Sequence, residues 1–235
     1  MKNINRVEID AARPLGELTA AVNAVCDTLE GAADKAAVVL RLRTAPADTL
    51  DWPGEITVTA VNRWERAVRR LEKLDAVTVA VAEGVCAGPA LDLLLAADFR
   101  VGAPGLLVAL PVNDGHFWPG MALFRLVRLL GVRRARQLVM WGADIALPRA
   151  VELGLVDHSG QDIEEAVRAA TALTGRLADR ETALRRQLMA EAATADYDEA
   201  LGVHLAACDR ELRRLRAAGA TRTPGAGELV GQGAP

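Results

Sequence analysis

Residues 88–98 read GPALDLLLAAD, and a helix made from them is apolar all round except at its two aspartates. A helix without a polar stripe cannot lie on a surface; other elements must enclose it. Pro89 suits a first helical position, where a missing N–H removes no helical hydrogen bond. Just upstream, Val77 to Ala82 is a short β-branched run ending at Glu83-Gly84, which predicts a strand and a turn.

Leu15, Leu18, Val22, Val25 and Leu29 recur at spacings of three and four, so 14–30 is an amphipathic helix opened by Pro14. Ala36 to Arg43 predicts a strand. Ile56, Ala60, Trp64, Ala67, Leu71 and Leu74 mark a long helix whose other face carries Arg63, Arg66, Arg69, Arg70 and Lys73. Two short strands are expected at Phe99–Gly102 and Leu106–Leu110, around an Ala103-Pro104-Gly105 turn. Helices follow over 119–131 and 132–141, separated at Gly131. Pro148 opens a short helix that Gly154 closes, and Leu155-Val156 is expected to return to the sheet. From Asp162 to about Ala218 the pattern is helical, with breaks near 178–180 and 195–197. Alternating strands and helices predict an α/β core over residues 1–157. A helical region that covers a site or builds an oligomer is expected over 158–218, and a Gly- and Pro-rich flexible tail over 219–235.

The net charge of −3 and an aromatic content of 3% argue against a nucleic-acid surface, which needs a basic bias and stacking platforms. No apolar run reaches the roughly 18 residues of a membrane span. The start, MKNINRVEID, has no apolar signal core, and Cys26, Cys86 and Cys208 are far apart. Reduced thiols and a cytoplasmic location are expected. No Cys/His cluster suggests a metal site.

Residues 83–98, EGVCAGPALDLLLAAD, resemble the crotonase (enoyl-CoA hydratase/isomerase) superfamily: a strand, a Gly-rich turn, and a buried helix with an early acid and a closing Asp. Gly84, Gly88, Asp92 and Asp98 fall on matching positions. Trp52-Pro53-Gly54-Glu55 resembles the loop before the family's first long helix. Pro119-Gly120-Met121 resembles its Pro-Gly helix, and Ala150, Gly154, Leu155, Val156 and Asp157 resemble its Ala-x-x-x-Gly-Leu-Val-Asp ending. The likeness covers about residues 36–157. It implies a spiral of ββα units with C-terminal helices that build trimers or hexamers. VNRWERAVRRLEKL, LDLLLAADFRV and NDGHFWPGMALFRL further resemble the small hydratase-like proteins of dihydroxyphenylglycine biosynthesis. Those work beside a type III polyketide synthase and sister crotonase-like enzymes that form 3,5-dihydroxyphenylacetyl-CoA.

The resemblance implies chemistry on an acyl-CoA thioester, with coenzyme A as part of the substrate and no separate cofactor. Two backbone N–H groups would hold the thioester oxygen as it becomes negative. One position is Glu55 and the other is Pro89, which has no N–H. Gly88 or Ala90 would then substitute, or Pro89 simply starts a helix and the usual catalysis is weak. Asp92 occupies the first carboxylate position; a plain helix-dipole partner is the bland alternative. The second position is Val112, so Asp114 is the candidate replacement, although Asp114-Gly115 also reads as an ordinary turn. His116 is a further candidate, or a satisfied loop histidine. Trp64 reads as core beside a solvated basic face, and Cys86 as a buried small residue. The expected activity is that of a lyase or isomerase, dehydrating or isomerising a polyketide-derived thioester toward an aromatic product. The alternatives are a non-catalytic accessory subunit of the synthase and an ordinary enoyl-CoA hydratase.

Overall fold

A computed structural model describes residues 4–32, 37–43, 56–113, 116–142, 144–160, 162–172 and 181–220. Residue contacts divide the chain into two units, Met1–Ala183 and Leu184–Pro235.

The first unit is built on a five-stranded sheet. Its strands are β1 (Ile4–Asp10), β2 (Ala37–Arg43), β3 (Val77–Ala82), β5 (Phe99–Gly102) and β10 (His158–Ser159) in the order β1-β2-β3-β5-β10. Every neighbouring pair is parallel. Parallel sheets are covered on both faces, so their strands are apolar on both sides. In β2, Val38, Leu40 and Leu42 face α1 (Leu15–Gly31), α2 (Val58–Glu72) and α3 (Gly88–Ala96). Val39 turns the other way and joins Val79, Val81 and Val101 under Ala166, Val167 and Ala170 of α6 (Ile163–Ala172). Thus β10 and α6, both beyond residue 157, belong to the first unit.

A smaller sheet joins β4 (Val85–Cys86), β6 (Leu107–Val108) and β9 (Ile145–Ala146), and β7 (Val112–Asn113) pairs antiparallel with β8 (His116–Phe117). Thr57 caps α2 by accepting a hydrogen bond from the Ala60 N–H at 3.2 Å. Arg70 of α2 reaches Asp27 and Glu30 of α1, each at 2.6 Å. The expected break at Gly131 is a kink inside α4 (Ala122–Trp141), where φ is 77°. Gly154 ends α5 (Leu147–Leu153) in the left-handed conformation that glycine adopts without strain.

Two expectations are corrected and one strand is added. Leu155 and Val156 are buried but lie outside any strand; the sheet is rejoined at His158–Ser159. Apolar character there marks burial, not strand pairing. Residues 4–10 form an edge strand that the pattern did not announce. Pro14 is the residue before α1 rather than part of its first turn.

In the second unit, α7 (Glu181–Ala192, which begins in the first unit) leads to α8 (Tyr197–Ala220). Leu201, Leu205, Leu212 and Leu215 of α8 are exposed. Among the described residues no helix is long and apolar enough to cross a membrane.

Candidate active site at the start of helix α3

The Gly-rich segment turns the chain twice. Gly84 has φ 65° and Gly88 φ 52°, values that a side chain would strain. Ala87 is extended at the N-cap and has no side-chain oxygen to cap α3. From Gly88 to Leu95 every residue of the helix is buried. The first turn of a helix leaves N–H groups without intrahelical acceptors, and its dipole favours negative charge. Pro89 removes one of these donors, leaving Ala90 and the flanking Gly88 as the backbone donors named from the sequence. The arrangement suits an anionic oxygen placed at this end of α3.

Asp92 is the fifth residue of α3, one step beyond the first turn, and only 5% exposed. Both of its oxygens are engaged. The Trp64 indole N–H donates to Oδ2 at 2.9 Å, and Arg125 Nη1 donates to Oδ1 at 3.1 Å. Arg125 is itself buried and spreads its guanidinium over two more acids. Nε donates to Glu72 Oε1 and Nη2 to Glu65 Oε2, each at 2.8 Å. Arg69 holds the other Glu72 oxygen at 2.6 Å. The cluster joins α2, α3 and α4.

Burial pushes the Asp92 carboxyl up to about 7, and the charge of Glu65 adds to the rise; Arg125 and Trp64 oppose it. A carboxyl in that range can both hold and give a proton near neutrality, which general acid–base work requires. Burial, reinforced by Asp92, pushes the Cys86 thiol far up, so it stays protonated and is no nucleophile.

Of the residues named from the sequence, the structure brings Gly88, Pro89, Ala90 and Asp92 together on one helix start. His116 is exposed on β8. Glu55 and Asp114 lie outside the described residues. Among the described residues no group of His, Cys, Asp or Glu gathers as a metal site.

Sequence reasoning missed Arg125 and underrated Trp64. Trp64 is core, as expected, at 1% exposure, but it also donates to Asp92. A signal for Arg125 existed. It stands between Phe124 and Leu126 within the run Met121–Val127, which is apolar at its other positions, and a buried arginine requires acids around it.

The chain matches the family model described as "Enoyl-CoA hydratase/isomerase" over residues 57–216. It is 40% identical to an enoyl-CoA hydratase of Amycolatopsis orientalis over 209 residues, which is 88% of this chain and 95% of that protein. Among solved structures it resembles the enoyl-CoA hydratase of Bacillus anthracis (22% identical, 94% of each chain covered, TM-score 0.73). The enoyl-CoA hydratase of Mycobacterium smegmatis is similar too (18% identical, 93% of this chain and 94% of that one, TM-score 0.74). These likenesses are in fold, whereas the family match and the Amycolatopsis relative extend over most of the sequence. Together with a Gly-turned, uncapped helix start beside a buried acid, they establish that the chain belongs to the enoyl-CoA hydratase/isomerase (crotonase) family.

Proposed function

We propose that the protein promotes dehydration or isomerisation of a polyketide-derived coenzyme A thioester toward an aromatic product. It would act beside a type III polyketide synthase and sister crotonase-like enzymes in the cytoplasm. The observation that carries this reading is Asp92, whose carboxyl is pushed up to about 7 at the helix end suited to a thioester oxygen.

The steps follow from what each group can do. A base removes a proton from the carbon next to the thioester carbonyl. The electron pair moves onto the carbonyl oxygen, where N–H donors of the Gly88–Ala90 turn, with Glu55, hold it. Collapse of that enolate expels a β-hydroxyl, which leaves as water with a proton supplied by a carboxylic acid. Asp92 is the acid–base group, and Asp114 is the second candidate. Coenzyme A is part of the substrate, and neither a separate cofactor nor a metal is needed. Val112 carries no ionisable group where a two-carboxylate hydratase would have its second acid, which disfavours ordinary hydration.

The exposed leucines of α8 support a homo-trimer or hexamer, which light scattering on the purified chain tests.

The test of function is a mixing assay. The purified protein is added to a dihydroxyphenylacetyl-CoA-forming synthase with malonyl-CoA, and aromatic product is followed by chromatography. Wild type accelerates product formation, and Asp92→Asn or Asp114→Asn does not. A second reading is favoured by the two hydrogen bonds that already occupy Asp92 and by Pro89: a non-catalytic subunit that improves the synthase. In that case all three forms accelerate equally.

A further inference from the structure

The cluster around Asp92 has an uneven charge count. Asp92, Glu65 and Glu72 carry three negative charges; Arg125 and Arg69 carry two positive ones. One proton makes it neutral. Glu65 and Glu72 remain partly exposed to water, whereas Asp92 is nearly enclosed. The charged form of the most enclosed acid is the most costly, so the proton belongs on Asp92.

We propose that Glu65 and Arg125 are the positioning residues of this site and together decide when Asp92 carries its proton. Arg125 anchors the carboxyl by Nη1 and favours its charged form. Glu65 occupies Nη2 of the same guanidinium and opposes that charge.

Among the described residues the groups that face Asp92 are few. From α2 come Trp64, Glu65 and Glu72, the last already shared with Arg69; from α4 comes Arg125; from β4 comes the Cys86 thiol, which stays protonated. The β2 face turned toward α3 is apolar, with Val38, Leu40 and Leu42. On β3, Ala80 and Ala82 are apolar and Thr78 is hydrogen-bonded to Asp98, at the far end of the α3 segment from the Gly-rich turn. Among these groups Glu65 is therefore the acid with the strongest hold over the proton, and α2 acts on α3 by setting the charge of Asp92.

Trp64 reports on the proton directly. When Asp92 is protonated, its oxygens become poorer acceptors and the indole N–H bond weakens. The experiment records the Trp64 indole N–H resonance of the full-length protein, without substrate, across pH values on both sides of neutrality. Wild type shows a titration near neutrality, and Asp92→Asn abolishes it. Glu65→Gln moves the midpoint down by on the order of one pH unit, a tenfold change in acid dissociation. Arg125→Lys, which keeps a positive charge but cannot bridge three acids, moves it up. Glu72→Gln, which changes an acid shared between Arg125 and the exposed Arg69, moves it down by less than Glu65→Gln does. An unmoved midpoint in Glu65→Gln overturns the proposal, as does a Trp64 titration that persists in Asp92→Asn.

The consequence for turnover rests on the functional reading above; the titration does not. If Glu65→Gln shifts the resonance while no form accelerates the synthase, the proton control stands and the enzymatic reading fails. If wild type accelerates the synthase and the resonance ignores Glu65, the reverse holds.

Discussion

Arg100 and Asp157 hold each other through three hydrogen bonds. The Arg100 backbone N–H donates to Asp157 Oδ2 at 2.8 Å, its Nη2 to Oδ1 at 2.9 Å, and the Asp157 N–H returns to the Arg100 carbonyl at 2.9 Å. The pair fixes the segment entering β10 against β5. Arg100 is buried, so it has little hydration to fall back on, and its Nε has no partner among the described residues.

Asp157→Ala therefore strands a buried guanidinium. The expected loss is about 3 kcal/mol, the lower end for a broken buried pair because Asp157 is partly exposed. Urea denaturation of the two forms checks it; a loss below about 1 kcal/mol rules out this role for the pair.

Asp92 makes stability depend on pH in an unusual direction for an acid. Its folded value of about 7 exceeds the ordinary 3.8, so between the two the folded chain holds a proton that the unfolded chain releases. That contribution is complete below about pH 4 and is lost as pH rises through about 7, on the order of a few kcal/mol. Denaturation at about pH 5 and about pH 8 should show the fall in wild type and a much smaller one in Asp92→Asn.

Pro89→Ala restores an N–H at the start of α3. If that donor is what the site lacks, acceleration of the synthase rises by roughly tenfold or more in the mixing assay. An unchanged rate means that the position of Pro89 does not hold the thioester oxygen.

Trp64→Phe keeps most of the ring but deletes the donor to Asp92 Oδ2. The cost is about 1–3 kcal/mol, and the Asp92 titration moves upward because the lost bond favoured the carboxylate. Proton resonances of α3 followed against pH would show the shift; a downward movement contradicts the assigned role of Trp64.

The main strands and helices of the first unit were legible because burial imposes a period on them. In α1, Leu15, Leu18, Val22, Val25 and Leu29 are all buried. Edge strand β1 was not legible: of Ile4–Asp10 only Ile9 is fully enclosed. The strands of the smaller sheet are two residues long, too short to show any period. At the site, the place of Asp92 on a buried helix could be read from its own segment. Its partners could not, because Trp64 and Arg125 stand 28 and 33 residues away on other helices. Local spacing says nothing about which side chains meet across a fold.

The parallel sheet has a consequence for how the molecule comes into being. No two of its neighbouring strands can be joined by a tight turn, and Arg100 waits 57 residues for Asp157. Such remote pairings place folding toward the slow end of the range for small domains. On the ribosome, the inner face formed by Val39, Val79, Val81 and Val101 is made long before α6 emerges to cover it. A nascent chain halted before residue 163 would thus present its wettest liability to every chaperone and every other copy in reach.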